Sequence, residues 1–114
     1  MRELINRASV LHALSRHIGA SNGVHIGALC REIVHVPVDL ATERHVRSFI
    51  EELRREGEHI CATPKHGYFM ASCSAELDQT IKFLYDRAMT TLTQVSAMKK
   101  IALPDLAGQL HIKT

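Results

Sequence analysis

Leu40-Ala41-Thr42-Glu43-Arg44-His45-Val46-Arg47-Ser48-Phe49-Ile50-Glu51-Glu52-Leu53-Arg54-Arg55-Glu56-Gly57 runs directly into Glu58-His59-Ile60-Cys61-Ala62-Thr63-Pro64-Lys65-His66-Gly67-Tyr68-Phe69-Met70-Ala71. The first half has the marks of a single helix. Val46, Phe49, Ile50 and Leu53 recur at helical spacing and form one apolar stripe. Thr42 is a suitable N-cap, with Ala41 and Val46 placed for a weak hydrophobic staple. Gly57 supplies the left-handed residue that ends a helix at little cost. Opposite the stripe lie Arg44, Ser48, Glu51 and Arg55, with His45 and Arg47 on its flanks.

The second half alternates as a β-hairpin does. His59 to Ala62 and Tyr68 to Ala71 are short strands around a turn in which Pro64 fixes φ and Gly67 permits a positive one. Lys65 and His66 stand at its tip. Tyr68 and Phe69 are expected in the hairpin core.

A helix with a hydrophilic outer face, followed at once by a hairpin with a basic tip, resembles the recognition helix and wing of winged helix-turn-helix DNA-binding domains. The closest resemblance is to the biotin-repressor type and to small phage and prophage proteins built on it. There a cap residue opens the recognition helix, a Leu-Arg-x-x-Gly segment closes it, and a short strand leads to a turn ending in Gly-Tyr. The corresponding residues are Thr42, Leu53-Arg54-Arg55-Glu56-Gly57, Ile60 and Gly67-Tyr68. The resemblance implies an α+β, mostly helical chain: a winged helix-turn-helix domain over 1–72, a dimerisation helix over 73–100 and an extended tail over 101–114. It also implies double-stranded DNA as partner. Thr42, Arg44, His45, Arg47, Ser48 and Glu51 would face the major groove, and Lys65 and His66 would reach the backbone or minor groove. Arginine can bind guanine in bidentate fashion, serine can donate or accept, and glutamate can accept from cytosine N4.

The same helix has a plainer explanation. Glu43–Arg47, Arg47–Glu51 and Glu51–Arg55 are all i,i+4 pairs, each worth about 0.3–0.5 kcal/mol on an exposed helix. Glutamates and arginines are also equal in number along it, so a solvated, charge-laced helix would look the same. A protein-interaction adaptor built on the fold is the corresponding alternative function.

Working outward, residues 2–18 are expected to form a helix with Leu4, Ile5, Ala8, Leu11, Leu14 and Ile18 on one face, stopped by Gly19. Arg16 and His17 would suit the negative end of its dipole. Val24-His25-Ile26 is placed to pair with the hairpin, and Ala28 to Ile33 reads as the supporting helix of the helix-turn-helix. The connection from Val34 to Leu40 is longer than the usual turn of that motif.

Beyond Ser74 a helix is expected to Lys100, capped by Ser74. Leu77, Ile81, Leu84, Ala88, Thr91, Val95 and Met98 follow a heptad spacing, with Tyr85, Met89 and Leu92 broadening the stripe, and Leu77, Ile81, Leu84, Ala88, Leu92, Val95 and Met98 are expected at a homodimer interface. In the tail, Gln109-Leu110-His111-Ile112 resembles the core of peptides that dock on the bacterial sliding clamp, a weak tail-mediated contact with a replication protein.

Composition narrows the classes. At 114 residues, with 46% hydrophobic residues and net charge +2, this is one mildly basic domain with an appendage. Three cysteines and no resemblance to a signal peptide suit free thiols in a reducing cytoplasm, with Cys30 and Cys73 as core fillers. No apolar run approaches a membrane span. The eight histidines are scattered without metal-ligand spacing, so no metal and no cofactor are expected. No nucleophile–base pair, phosphate loop or carboxylate cluster suggests an enzyme. The ligase domain that follows this motif in the biotin repressor has no counterpart in these residues.

Overall fold

A computed structural model describes residues 4–35 and 37–99 of the chain. The architecture is α+β and mostly helical: α1 (Arg7–Leu14), a 3₁₀ turn (Ala20–Asn22), α2 (Ile26–Val34), α3 (Leu40–Arg55), β1 (Ile60–Thr63), β2 (Gly67–Met70) and α4 (Ser74–Lys99). It divides into two compact units, Met1–Thr80 and Ile81–Thr114, with the boundary inside α4.

In the first unit α1, α2 and α3 pack against one another. Their core holds Ile5, Val10, Leu14, Leu29, Val46, Ile50 and Leu53 among others, closed by Ile60 of the hairpin. α1 is shorter than the expected 2–18, of which residues 2–3 lie outside the described part. Asn6 caps it through a reciprocal pair with Ser9: the Asn6 side chain accepts from Ser9 N–H (2.8 Å) and Ser9 Oγ accepts from Asn6 N–H (2.9 Å). The helix ends at Leu14, well before Gly19. Its buried face is therefore Val10, Ala13 and Leu14, while Ala8 and Ile18 are exposed.

Ile18 instead bridges Met70 in parallel, and Val24 bridges Tyr68 in antiparallel. The expected strand 24–26 is thus a single bridge, with Val24 N–H to Tyr68 O at 2.8 Å and Tyr68 N–H to Val24 O at 2.7 Å. His25 is already the N-cap of α2. This pairing is close enough that an added Cβ on Gly23 would lie 2.1 Å from His66 O.

α3 begins earlier than expected. Asp39, not Thr42, is its N-cap: one Asp39 carboxylate oxygen accepts both the Thr42 N–H and the Thr42 hydroxyl at 2.8 Å. Gly57 ends the helix as anticipated, at φ 98°. Gly57 N–H donates to Arg54 O and Glu58 N–H to Leu53 O, both at 3.0 Å, the Schellman pattern.

The hairpin pairs Ile60 with Met70, Cys61 with Phe69, Ala62 with Tyr68 and Thr63 with Gly67. Ile60 belongs to the helical core, and Tyr68 and Met70 pack on it. Cys61 and Phe69 are buried on the other face, where the start of α4 reaches the hairpin. There Ala62 N–H donates to the buried Thr80 hydroxyl (3.4 Å), and Cys61 Sγ lies 3.6 Å from Glu76 O. Glu76 also ties α4 to the 3₁₀ turn, accepting from Ala20 N–H (2.8 Å), Ser72 N–H (2.8 Å) and the Ser72 hydroxyl (2.7 Å). Ser74 is the first residue of α4 rather than its cap. All three cysteines are free; Cys30 is buried, but Cys73, expected in the core, is exposed just ahead of α4.

In the second unit every residue from Ile81 to Ala88 is exposed. Lys82 and Asp86 pair at 2.8 Å, and the Arg87 guanidinium lies 5.7 Å from the centroid of the Phe83 ring. Leu92, by contrast, is only 7% exposed. The sliding-clamp-like segment 109–112 lies outside the described residues. No helix among the described residues is long and apolar enough to cross a membrane.

Candidate nucleic-acid interface

The buried stripe Val46, Ile50 and Leu53 fixes which side of α3 meets the core, so the opposite side must face outward. Arg44, Arg47, Ser48, Glu51 and Arg55 are exposed there, as their spacing implied. Of the three i,i+4 pairs the sequence allows, only Glu43–Arg47 comes within ion-pair reach, and only at 3.9 Å. Such a surface pair contributes about 0–1 kcal/mol and leaves most of the guanidinium available. Arg44 and Arg55 have no ion-pair or hydrogen-bond partner among the described residues.

Two other charges of α3 leave this face altogether. Arg54 turns inward, its Nε donating to Ile60 O at 2.9 Å, and burial lowers its pKa. Glu56 pairs with Arg7 of α1. Glu43 and Glu52 are half-buried. The equal count of arginine and glutamate along the helix therefore becomes an outer face with three arginines and one exposed carboxylate, Glu51.

The remaining expected residues are already engaged to different degrees. Thr42 spends its hydroxyl proton on Asp39. Ser48 spends its own on His45 O at 2.7 Å, so toward a ligand each of these hydroxyls offers an acceptor. The half-buried His45 ring packs edge-on against Phe49, with centroids 5.0 Å apart.

On the hairpin, Pro64, Lys65 and His66 form a three-residue loop closed by the Thr63–Gly67 pair. Lys65 is exposed and has no partner among the described residues. His66 is drawn in: Thr63 Oγ1 accepts its backbone N–H at 2.9 Å and lies 3.1 Å from its ring Nδ1, and the ring meets Phe69 edge-on. Of the two tip residues, Lys65 alone presents itself to solvent.

Sequence reasoning missed the cap at Asp39 and the withdrawal of Arg54 and Glu56. Asp39 was visible as a cap-forming residue ahead of a helix-compatible Leu40-Ala41. Arg54 and Glu56 carried no such signal, because their partners, Ile60 beyond the helix stop and Arg7 in α1, are not set by helical spacing. Among the described residues no three histidine, cysteine, aspartate or glutamate side chains form a group suited to a metal ion. The chain matches no family model, no curated protein and no solved structure in the comparisons made.

Proposed function

We propose that the chain is a winged helix-turn-helix protein of the biotin-repressor type that binds double-stranded DNA in a sequence-dependent way. α3 would be the recognition helix and the hairpin the wing, in a cytoplasmic phage or prophage regulator or replication accessory. The observation that carries this reading is the outer face of α3. Its exposed arginines, Arg44, Arg47 and Arg55, lack strong internal partners, while Arg54 and Glu56 are drawn off to Ile60 and Arg7. A helix whose arginines were engaged with its own glutamates would have little to offer a polyanion.

Two copies would read a site with two-fold symmetry. Ile81, Leu84, Tyr85 and Ala88 form an exposed stripe over two turns of α4, which supports a dimer through that segment. Leu92, buried within the single chain, contributes little to it. The same exposed stripe supports the second reading, a protein-interaction adaptor.

Duplex binding measured by fluorescence anisotropy across a salt series separates the two. About three to five phosphate contacts per protomer give a log–log salt slope of roughly −3 to −5. Arg44→Ala or Arg47→Ala is expected to cost about 1–3 kcal/mol on a selected site and to blur its preference. Lys65→Ala should weaken all sequences alike. Binding that ignores salt, or the absence of binding, favours the adaptor.

A further inference from the structure

Outside the α3 face, an open cleft of about 630 Å³ is lined by Arg16, His17, Ala28, Arg31, Glu32 and His35. Ala28, Arg31, Glu32 and His35 share one side of α2 by helical spacing, and Arg16 and His17 come from the segment just after α1. Four of the six residues are basic types, and a single carboxylate accompanies them.

That carboxylate is already answered. Glu32 Oε1 lies 3.3 Å from Arg16 Nη2 and 3.0 Å from His17 Nε2, and Oε2 lies 2.9 Å from the same ring nitrogen. The other nitrogen of His17, Nδ1, lies 2.8 Å from Asn22 O. A carbonyl and a carboxylate only accept, so the His17 ring can donate to either of them through a protonated nitrogen. Glu32 thus faces the Arg16 guanidinium and the His17 ring from the α1 side. Arg31, on the other flank of Glu32, is exposed, and its guanidinium makes no hydrogen bond or ion pair with any described residue. Glu43 of α3 approaches it on the Gly27 side without reaching ion-pair distance. Arg16 is 55% exposed and spends only one donor on Glu32, so most of its fork remains open as well. His35, left-handed at φ 57°, ends α2 at the rim of this cleft and of a smaller neighbouring cavity that also borders Arg16.

We propose that this cleft binds phosphate, held between the Arg16 and Arg31 guanidinium groups. Planar guanidinium donors fit phosphate oxygens in pairs, and the one carboxylate among the lining residues is already paired with Arg16. The site does not depend on duplex reading by α3. Its phosphate is either that of a free phosphorylated small molecule or that of a nucleic-acid backbone. The competing explanation is that these basic residues only complement the negative ends of α1 and α2.

The test follows the backbone amides of the ¹⁵N-labelled full chain during titration with inorganic phosphate, against chloride at matched ionic strength. Saturable shifts centred on residues 16–17 and 31–35 are expected with phosphate alone. Arg31→Gln, which removes no internal bond, should weaken them by about tenfold or more, the loss of one charge-assisted hydrogen bond. Should that variant fold poorly, Arg31→Lys, which keeps the charge but not the fork, should weaken binding by a smaller factor. Equal shifts with chloride, no shifts, or shifts unchanged in either variant would overturn the proposal. Duplex titration of Arg31→Gln then identifies the source: a salt slope reduced by about 1 marks backbone phosphate, and an unchanged slope marks a free ligand.

Discussion

Gly67→Ala is expected to destabilise the chain by about 3–4 kcal/mol, and Gly57→Ala by only about 1–2 kcal/mol, although both glycines have positive φ. The two positions differ in what surrounds them. At Gly57, φ 98°, an added Cβ meets nothing within 4 Å, so the substitution reports the backbone conformation alone. At Gly67, φ 76°, the Cβ would lie 2.4 Å from Val24 O, 2.6 Å from Val24 C and 2.8 Å from His25 N. All three atoms are main chain and cannot rotate aside. An ordinary contact lies near 3.5 Å, so the two segments must part by about 1 Å. That opening falls on the reciprocal bonds between Val24 and Tyr68, at 2.8 and 2.7 Å. Their loss adds about 2 kcal/mol to the conformational cost. Gly23→Ala gives the steric part by itself, because Gly23 has φ −61°, which alanine tolerates, while its Cβ would lie 2.1 Å from His66 O. Urea unfolding followed by far-UV circular dichroism measures all three variants. A Gly67→Ala cost within about 0.5 kcal/mol of the Gly57→Ala cost would show that the hairpin is not clamped against residues 23–25 as described.

Glu76 links stability to pH. Hydrogen bonds from Ser72 N–H, Ala20 N–H and the Ser72 hydroxyl hold its carboxyl below the ordinary value of 4.5, so its contribution is complete above that pH and is lost as the pH falls through the lower folded-state value. Glu76→Gln should melt below the parent protein at neutral pH, with the difference shrinking under acid; a gap independent of pH would refute this. For the exposed stripe on α4, light scattering at micromolar concentration should report a dimer, and Leu84→Asp a folded monomer. A monomeric parent chain would remove the dimer from the proposed function.

Much of the first unit was legible because its determinants are local. The apolar stripe of α3 and the Gly57 stop act within a few residues of themselves, and so does the turn from Thr63 to Gly67. The errors arose where two local signals competed. Asp39 and Thr42 can both cap, and the earlier residue prevails because Leu40 and Ala41 are compatible with a helix and the Asp39 carboxylate can take both Thr42 donors. In α1, the wide stripe from Leu4 to Ile18 masked the Asn6–Ser9 capping box, which starts the helix later. The Glu76 clamp was not legible at all, since Ala20 lies 56 residues away in sequence.

The outer face of α3 shows the same division, with a larger consequence. Counted along the chain, α3 is electrically balanced, which argues as well for a solvated helix as for one that meets DNA. The balance is lost in the fold because tertiary partners compete with i,i+4 pairing for the same side chains. A bond to the Ile60 carbonyl holds Arg54 where water is scarce, and there a polar contact outweighs the few tenths of a kcal/mol that an exposed helical pair contributes. Arg7 takes Glu56 from the end of the same helix. What remains outward is Arg44, Arg47, Ser48, Glu51 and Arg55, with the arginines outnumbering the one exposed carboxylate. Net charge of the segment is thus a poor guide to its partner. The better guide is which charges the core and the neighbouring helix have already taken, and by that measure the outer face of α3 is suited to a polyanion.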